Sequence, residues 1–256
     1  MDELGMTAIS LHIKSPDEET REHREEIARR VREYFIPNLP SEFRVLCYLD
    51  DIDICWLKER WGGHSNRGVH WPIRGQGLAA WPQDMWNTIA PIDPQSGEIS
   101  WPYTSVVYLH GSTCGSDVQL AMTLSHELQH FLQFVTDKQL WAIHTLLTEL
   151  PNLPTHNLKH WFDLPNEREA RIVAKRIAEN LFGRAVVDQH IVKMMASRIS
   201  EEDAADWEFI QKIDPSRNYD LRQNTIPLVD EYRQELEKLR TQFAGDADLG
   251  AADLDL

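Results

Sequence analysis

Residues 118–135 read VQLAMTLSHELQHFLQFV. Val118, Ala121, Leu124, Leu128, Phe131, Leu132 and Val135 recur at the spacing of one helix face, which makes the stretch an amphipathic helix. Ser116 or Asp117 can cap its start. In its middle stands His126-Glu127-Leu128-Gln129-His130, an H-E-x-x-H sequence. Residues four apart on a helix lie one turn above the other, so two imidazoles at this spacing can grip one metal ion. Glu127 falls about 100° round the helix from His126, where it can reach a water without being a ligand itself. Two histidines and a free glutamate in this order carry the chemistry of a zinc hydrolase.

The third ligand decides the subclass. A metzincin pattern needs Gly at 133 and His at 136, and the chain has Gln133 and Thr136. An aspartate version would use Asp163, and a histidine version His156 or His160, both in a Pro-flanked loop. A glutamate version would use Glu167 or Glu169 on the helix that opens at Pro165 and runs to a Gly183 cap. Glu167, Ala170, Ala174, Ala178 and Leu181 share one face, and its small residues let two helices approach closely enough to share an ion. Glu169 falls on another side, so Glu167 is preferred.

Outward from this centre, the chain divides into a mixed part at 1–115 and a helical part at 116–243, read together as one domain. Residues 6–14 alternate weakly, as a short strand does. Ser15-Pro16-Asp17-Glu18 opens a helix to about Phe35, with Ser15 as its cap and an outer face of solvated Glu and Arg. Strands are expected at 43–49, from Ile52 to Leu57 after an Asp50-Asp51 turn, and at 104–110. The last is a candidate edge for an added peptide strand. Residues 61–100, rich in Gly, Pro and Trp, have no period, and His64 and His70 within them read as surface or turn histidines. Further helices are expected at 138–150, 184–199, 201–213 behind a Ser200 cap, and 228–243. The acidic residues 244–256 are expected to be disordered. The fold class is α+β, with a small mixed sheet packed on the H-E-x-x-H helix.

The chain has 256 residues, nine of them Trp, and a formal charge of −15. That balance argues against nucleic acid or an anionic membrane as partner, both of which need clustered Lys and Arg. No apolar run is long enough to span a bilayer. The acidic N-terminus does not read as a signal peptide, and Cys47, Cys55 and Cys114 suggest neither a disulfide framework nor a cysteine zinc site. A reduced, cytoplasmic protein is expected.

His126-Glu127-Leu128-Gln129-His130 followed by Asn166-Glu167-Arg168-Glu169-Ala170 resembles the glutamate-class zincins, metallopeptidases that pair H-E-x-x-H with a later glutamate helix. It is also similar to zincin domains in large polyvalent proteins of phages and mobile elements, and more distantly to repressor-cleaving metallopeptidases of mobile elements. The resemblance covers residues 104–182. It implies a zincin-like fold, Zn²⁺ held by His126, His130 and Glu167, and Glu127 as the catalytic base. The chain departs from the pattern at Arg171, where an Asp often supports a ligand histidine, which leaves the outer support unassigned. His190, Tyr219 and Tyr232 are candidate oxyanion donors. The expected activity is intracellular endopeptidase cleavage of a specific protein target, with a regulatory protein as a possible partner. The rival readings are a non-catalytic zinc-binding regulatory domain and a helical protein with no metal.

Overall fold

The structure, a computed structural model, describes residues 8–50, 68–72, 102–111, 115–137, 141, 165–197 and 201–216. Strand β1 (Ile9–Lys14) leads into helix α1 (Glu18–Phe35), which returns the chain to β2 (Val45–Asp50). Then come β3 (Gly68–Pro72), β4 (Ser105–His110) and helices α2 (Asp117–Thr136), α3 (Pro165–Phe182), α4 (Arg184–Ala196) and α5 (Glu201–Lys212). The expected elements at 52–57, 138–150 (apart from Trp141) and 228–243, the Ser200 cap and the acidic tail lie outside the described residues.

The sheet order is β1-β2-β4-β3. The pairs β1–β2 and β2–β4 are parallel, and β3 runs antiparallel on the far side of β4, with His70 opposite Val107. This corrects the expectation for 104–110. That strand is interior, with its ladder groups taken by β2 and β3, and the outermost described strand beyond it is β3. It also corrects the reading of residues 61–100 as wholly irregular, since 68–72 form this strand. Pro72 closes it, as a residue without an N–H does at a strand end.

One face of the sheet carries Ile9, Ile13, Val45, Cys47, Leu49, Val107 and Leu109. On it pack Ile27, Ala28, Val31 and Phe35 of α1 and Leu120, Leu124, Leu128, Phe131 and Val135 of α2. Each such aliphatic or aromatic side chain contributes roughly 1.5–3 kcal/mol on burial. A second cluster joins Val118 and Met122 of α2 to Ala174 and Ala178 of α3, Val187 and Ile191 of α4, and Trp207 and Ile210 of α5. Helix α2 therefore belongs to both clusters, and fifteen of its twenty residues are buried. Its polar residues are buried with the rest and must find partners inside the protein.

The helix ends follow local chemistry. Ser116 caps α2, its Oγ accepting from the Gln119 N–H at 3.1 Å. Helix α1 is capped by Asp17 rather than Ser15, the carboxylate accepting from the Thr20 N–H at 2.8 Å. The ionised Asp17 oxygens outcompete a hydroxyl two residues earlier. Among the described residues no helix is long and apolar enough to cross a membrane.

Candidate metal centre

Helix α2 sets His126 and His130 one turn apart with their Nε2 atoms 3.0 Å from each other. Glu167 enters from the first turn of α3. Its Oε2 lies 3.3 Å from His126 Nε2 and its Oε1 lies 3.2 Å from His130 Nε2. Helices α2 and α3 make the most extensive contact between any two described elements. The stripe Ala170, Ala174 and Ala178 is buried along that junction and permits the close approach. A tetrahedral ion with bonds of about 2.0–2.1 Å needs donors about 3.3 Å apart, close to the spacing found here. The three residues could hold a metal ion.

The side chains of His130 and Glu167 are 7 % and 4 % exposed, and that of His126 19 %, so the cluster opens to solvent on the His126 side. Burial and charge act in opposite senses on His130 and Glu167. Burial alone would lower the pKa of His130, but the Glu167 carboxylate beside it prevails and lifts it to about 9. Burial, then the charge on His130, push His126 down to about 4. Burial would raise Glu167, yet the charge on His130 and hydrogen bonds from both imidazoles hold it well below the usual carboxylate range. One carboxylate and one imidazolium thus neutralise each other, and a divalent ion can take the place of the proton between them.

Glu127 is buried beside the cluster without contributing a ligand atom to it. Burial raises its pKa to about 7, against a smaller lowering by charged His130 and by a hydrogen bond from the His70 backbone N–H. A carboxylate poised there can take and return a proton near neutrality. The His70 contact corrects the surface reading of that residue. Its ring is buried in β3 against Phe131, Phe134 and Trp141, with centroid distances of 5.8, 5.7 and 5.1 Å. An imidazole between aromatic rings packs as an apolar body, and here it pins β3 to the carboxylate face of α2.

Outer support comes from residues that sequence reasoning did not assign. Gln133, one turn beyond His130, donates its amide to the Asn166 carbonyl at 3.0 Å and to Glu169 Oε2 at 2.8 Å. That leaves its Oε1 as acceptor for His130 Nδ1–H at 2.9 Å, which turns Nε2 towards the other ligands. Glu169 thus holds Gln133 and does not meet the imidazoles. Arg171 donates from Nη1 to Glu167 Oε2 at 2.7 Å and from Nε to Asp206 of α5 at 2.5 Å. The i, i+3 and i, i+4 spacings of Gln133 to His130 and Arg171 to Glu167 were visible signals; Asp206 had none.

His190 contacts Gln119 Oε1 at 3.0 Å and Ser116 Oγ at 3.3 Å, with its ring edge against Trp207. Gln119 precedes His126 by two turns, roughly 10 Å along the helix, so His190 is not brought to the cluster. His64, His156, His160, Asp163, Tyr219 and Tyr232 lie outside the described residues. Searches against protein-family models, curated proteins and solved structures found no match for this chain.

Proposed function

We propose that the chain is a zinc-dependent endopeptidase of the zincin type, cleaving a specific protein target inside the cell. The observation that carries the proposal is the convergence of His126, His130 and Glu167 to within 3.0–3.3 Å, with Glu127 beside them as a buried base. Two imidazole nitrogens and one carboxylate oxygen are the donor set that catalytic zinc takes, with a further position left open. Zinc bound there supplies Lewis acidity towards a water and a peptide carbonyl. The remaining work falls to the chain. His130, held in its Nδ1–H form by Gln133, presents a lone pair at Nε2. Glu127 takes the proton of the attacking water on its carboxylate and returns it to the leaving amine nitrogen. An extended substrate would lie against β3, the antiparallel strand whose His70 N–H already holds that carboxylate.

Elemental analysis of tag-free protein tests the reading. About one zinc per chain is expected, lost in His126→Ala and Glu167→Ala and kept in Glu169→Ala. Glu127→Gln keeps the metal and loses cleavage of peptides in a proteome-derived library. A parent protein that takes up no metal even with zinc added would overturn the proposal. Stoichiometric zinc with no cleavage by the parent would leave a regulatory zinc-binding domain.

A further inference from the structure

Resting on the metal-site reading, we infer that Arg171 is a positioning residue, held by Asp206, that confines Glu167 to one-oxygen ligation and so holds the site at four ligands, three from the chain and one from solvent or substrate. The side chains of Arg171 and Glu167 are 10 % and 4 % exposed, so the pair is desolvated and its geometry restrictive. A single nitrogen, Nη1, donates both to Glu167 Oε2 at 2.7 Å and to the Glu167 backbone carbonyl at 3.1 Å. The guanidinium is therefore tied to the same turn that carries the ligand. Its Nε is taken by Asp206 Oδ1 at 2.5 Å, an anchor on a different helix. A planar guanidinium fixed at both ends cannot swing away from Oε2.

The consequence is electrostatic as well as steric. A carboxylate has two oxygens, and a cation with only three protein ligands has room to take both. Here one oxygen already accepts from a fixed positive charge at 2.7 Å, and a metal that approached it would come up against that charge. Both oxygens face an imidazole, Oε2 at 3.3 Å from His126 Nε2 and Oε1 at 3.2 Å from His130 Nε2, but only Oε2 also accepts from the anchored guanidinium, so Oε1 is the oxygen left to the metal. Arginine at this place does something an aspartate could not. It works on the carboxylate ligand rather than on a histidine, and it draws electron density from it, which leaves the bound ion more electrophilic. Asp206 matters because it is the element of this arrangement that α5 contributes. The seating of α5 and the coordination of the metal are thereby linked through two side chains.

Cobalt(II) substitution reads the coordination number directly, since four-coordinate cobalt absorbs visible light far more strongly than five- or six-coordinate cobalt. The parent, loaded with cobalt, is expected to give the intense four-coordinate bands. The double variant Arg171→Met/Asp206→Leu replaces buried Arg171 and half-buried Asp206 together by apolar groups, so that neither is left without the other, a change ion pairs in protein interiors often tolerate. It is expected to bind cobalt and to lose most of that intensity as Glu167 swings to two-oxygen ligation. Asp206→Asn, which leaves Arg171 charged and on Glu167, should keep the parent bands. Should the double variant fail to fold, Arg171→Gln, a smaller change in volume, reads the same bands. Unchanged bands in a folded variant lacking Arg171 overturn the inference and leave the metal site standing. A parent that binds no cobalt overturns both.

Discussion

His130 Nδ1 lies 2.9 Å from Gln133 Oε1, one turn further along the same helix, and the amide nitrogen of Gln133 is committed to Asn166 and Glu169. Gln133 can only accept from the imidazole, so it selects the tautomer whose Nε2 faces the ligand cluster. Removing such a support costs about 10- to 100-fold in metal affinity. Gln133→Met, which keeps the volume and cannot accept in the same way, is expected to lie in that range by competition with a chromophoric chelator. Glu169→Gln removes only the charge of the amide's partner, whose remaining oxygen can still accept, and should fall well short of it. Equal losses in the two variants would mean that Glu169 acts on the metal itself.

The charge pattern of the metal-free cluster is open to direct measurement. His130 is lifted to about 9 by Glu167, and His126 is pushed to about 4 by burial and its charged neighbour. Near neutral pH, imidazole nitrogen chemical shifts should report His130 as imidazolium and His126 as neutral. The folded pKa of His130 lies above its unfolded value of about 6.5. Its stabilisation is therefore fully present below that value and lost as pH rises through about 9. Metal uptake expels the same proton, so apparent affinity should rise about tenfold per pH unit between those limits. In Glu167→Gln the lifting charge is gone, burial prevails, and His130 should titrate below its ordinary value.

What the sequence disclosed follows from where its signals are local. The α2 periodicity is dense because that helix is buried in two clusters, and the alanine stripe of α3 pointed to the face on which Glu167 stands. Strand β3 was illegible for a physical reason. Gly68-Val69-His70-Trp71-Pro72 is too short to show alternation, and its partner, β4, lies some thirty residues further along the chain. Sheet order is likewise a matter of tertiary pairing, so nothing local distinguished Ser105–His110 as interior rather than edge. His70 was misread because the Gly, Pro and Trp around it showed no period and suggested a loop, whereas its ring is accommodated by Phe131, Phe134 and Trp141. Asp206 reaches the site only because α5 folds back on α3, a contact no spacing rule encodes.

Lys175 secures that return. Its buried Nζ donates to the carbonyls of Ile210 at 3.0 Å, Gln211 at 3.3 Å and Ile213 at 2.8 Å. These carbonyls lie at and just beyond the C-terminal end of α5, where intrahelical donors run out, and the Ile210 carbonyl also accepts from the Ile213 N–H at 3.2 Å. A cation placed there also meets the negative end of the helix dipole. Lys175→Met retains the apolar stem and removes the donor these carbonyls share, for an expected loss of about 3 kcal/mol in urea unfolding. Hydrogen exchange should localise the loss to the amides of 201–213. A loss spread evenly over the whole chain would show instead that α5 does not open separately.

Gly183 closes α3 and starts α4 within a single residue. Its N–H donates to the Glu179 carbonyl at 2.9 Å, and its own carbonyl accepts from Val186 and Val187 at 3.2 and 3.3 Å. It does this at φ 85° and ψ 145°, a region that side-chain-bearing residues scarcely enter. A Cβ built there meets nothing within 4 Å, so any cost of Gly183→Ala comes from the backbone rather than from a clash. That cost is expected at about 1–3 kcal/mol, read as a lowered Tm of the metal-free protein. Glu167 stands at the opposite end of α3, roughly 24 Å away along the helix axis. Metal affinity of the folded variant should accordingly match the parent. A matching loss of affinity would show that the α3–α4 corner sets the position of the third ligand, and that α3 does not hold Glu167 in place by its packing on α2 alone.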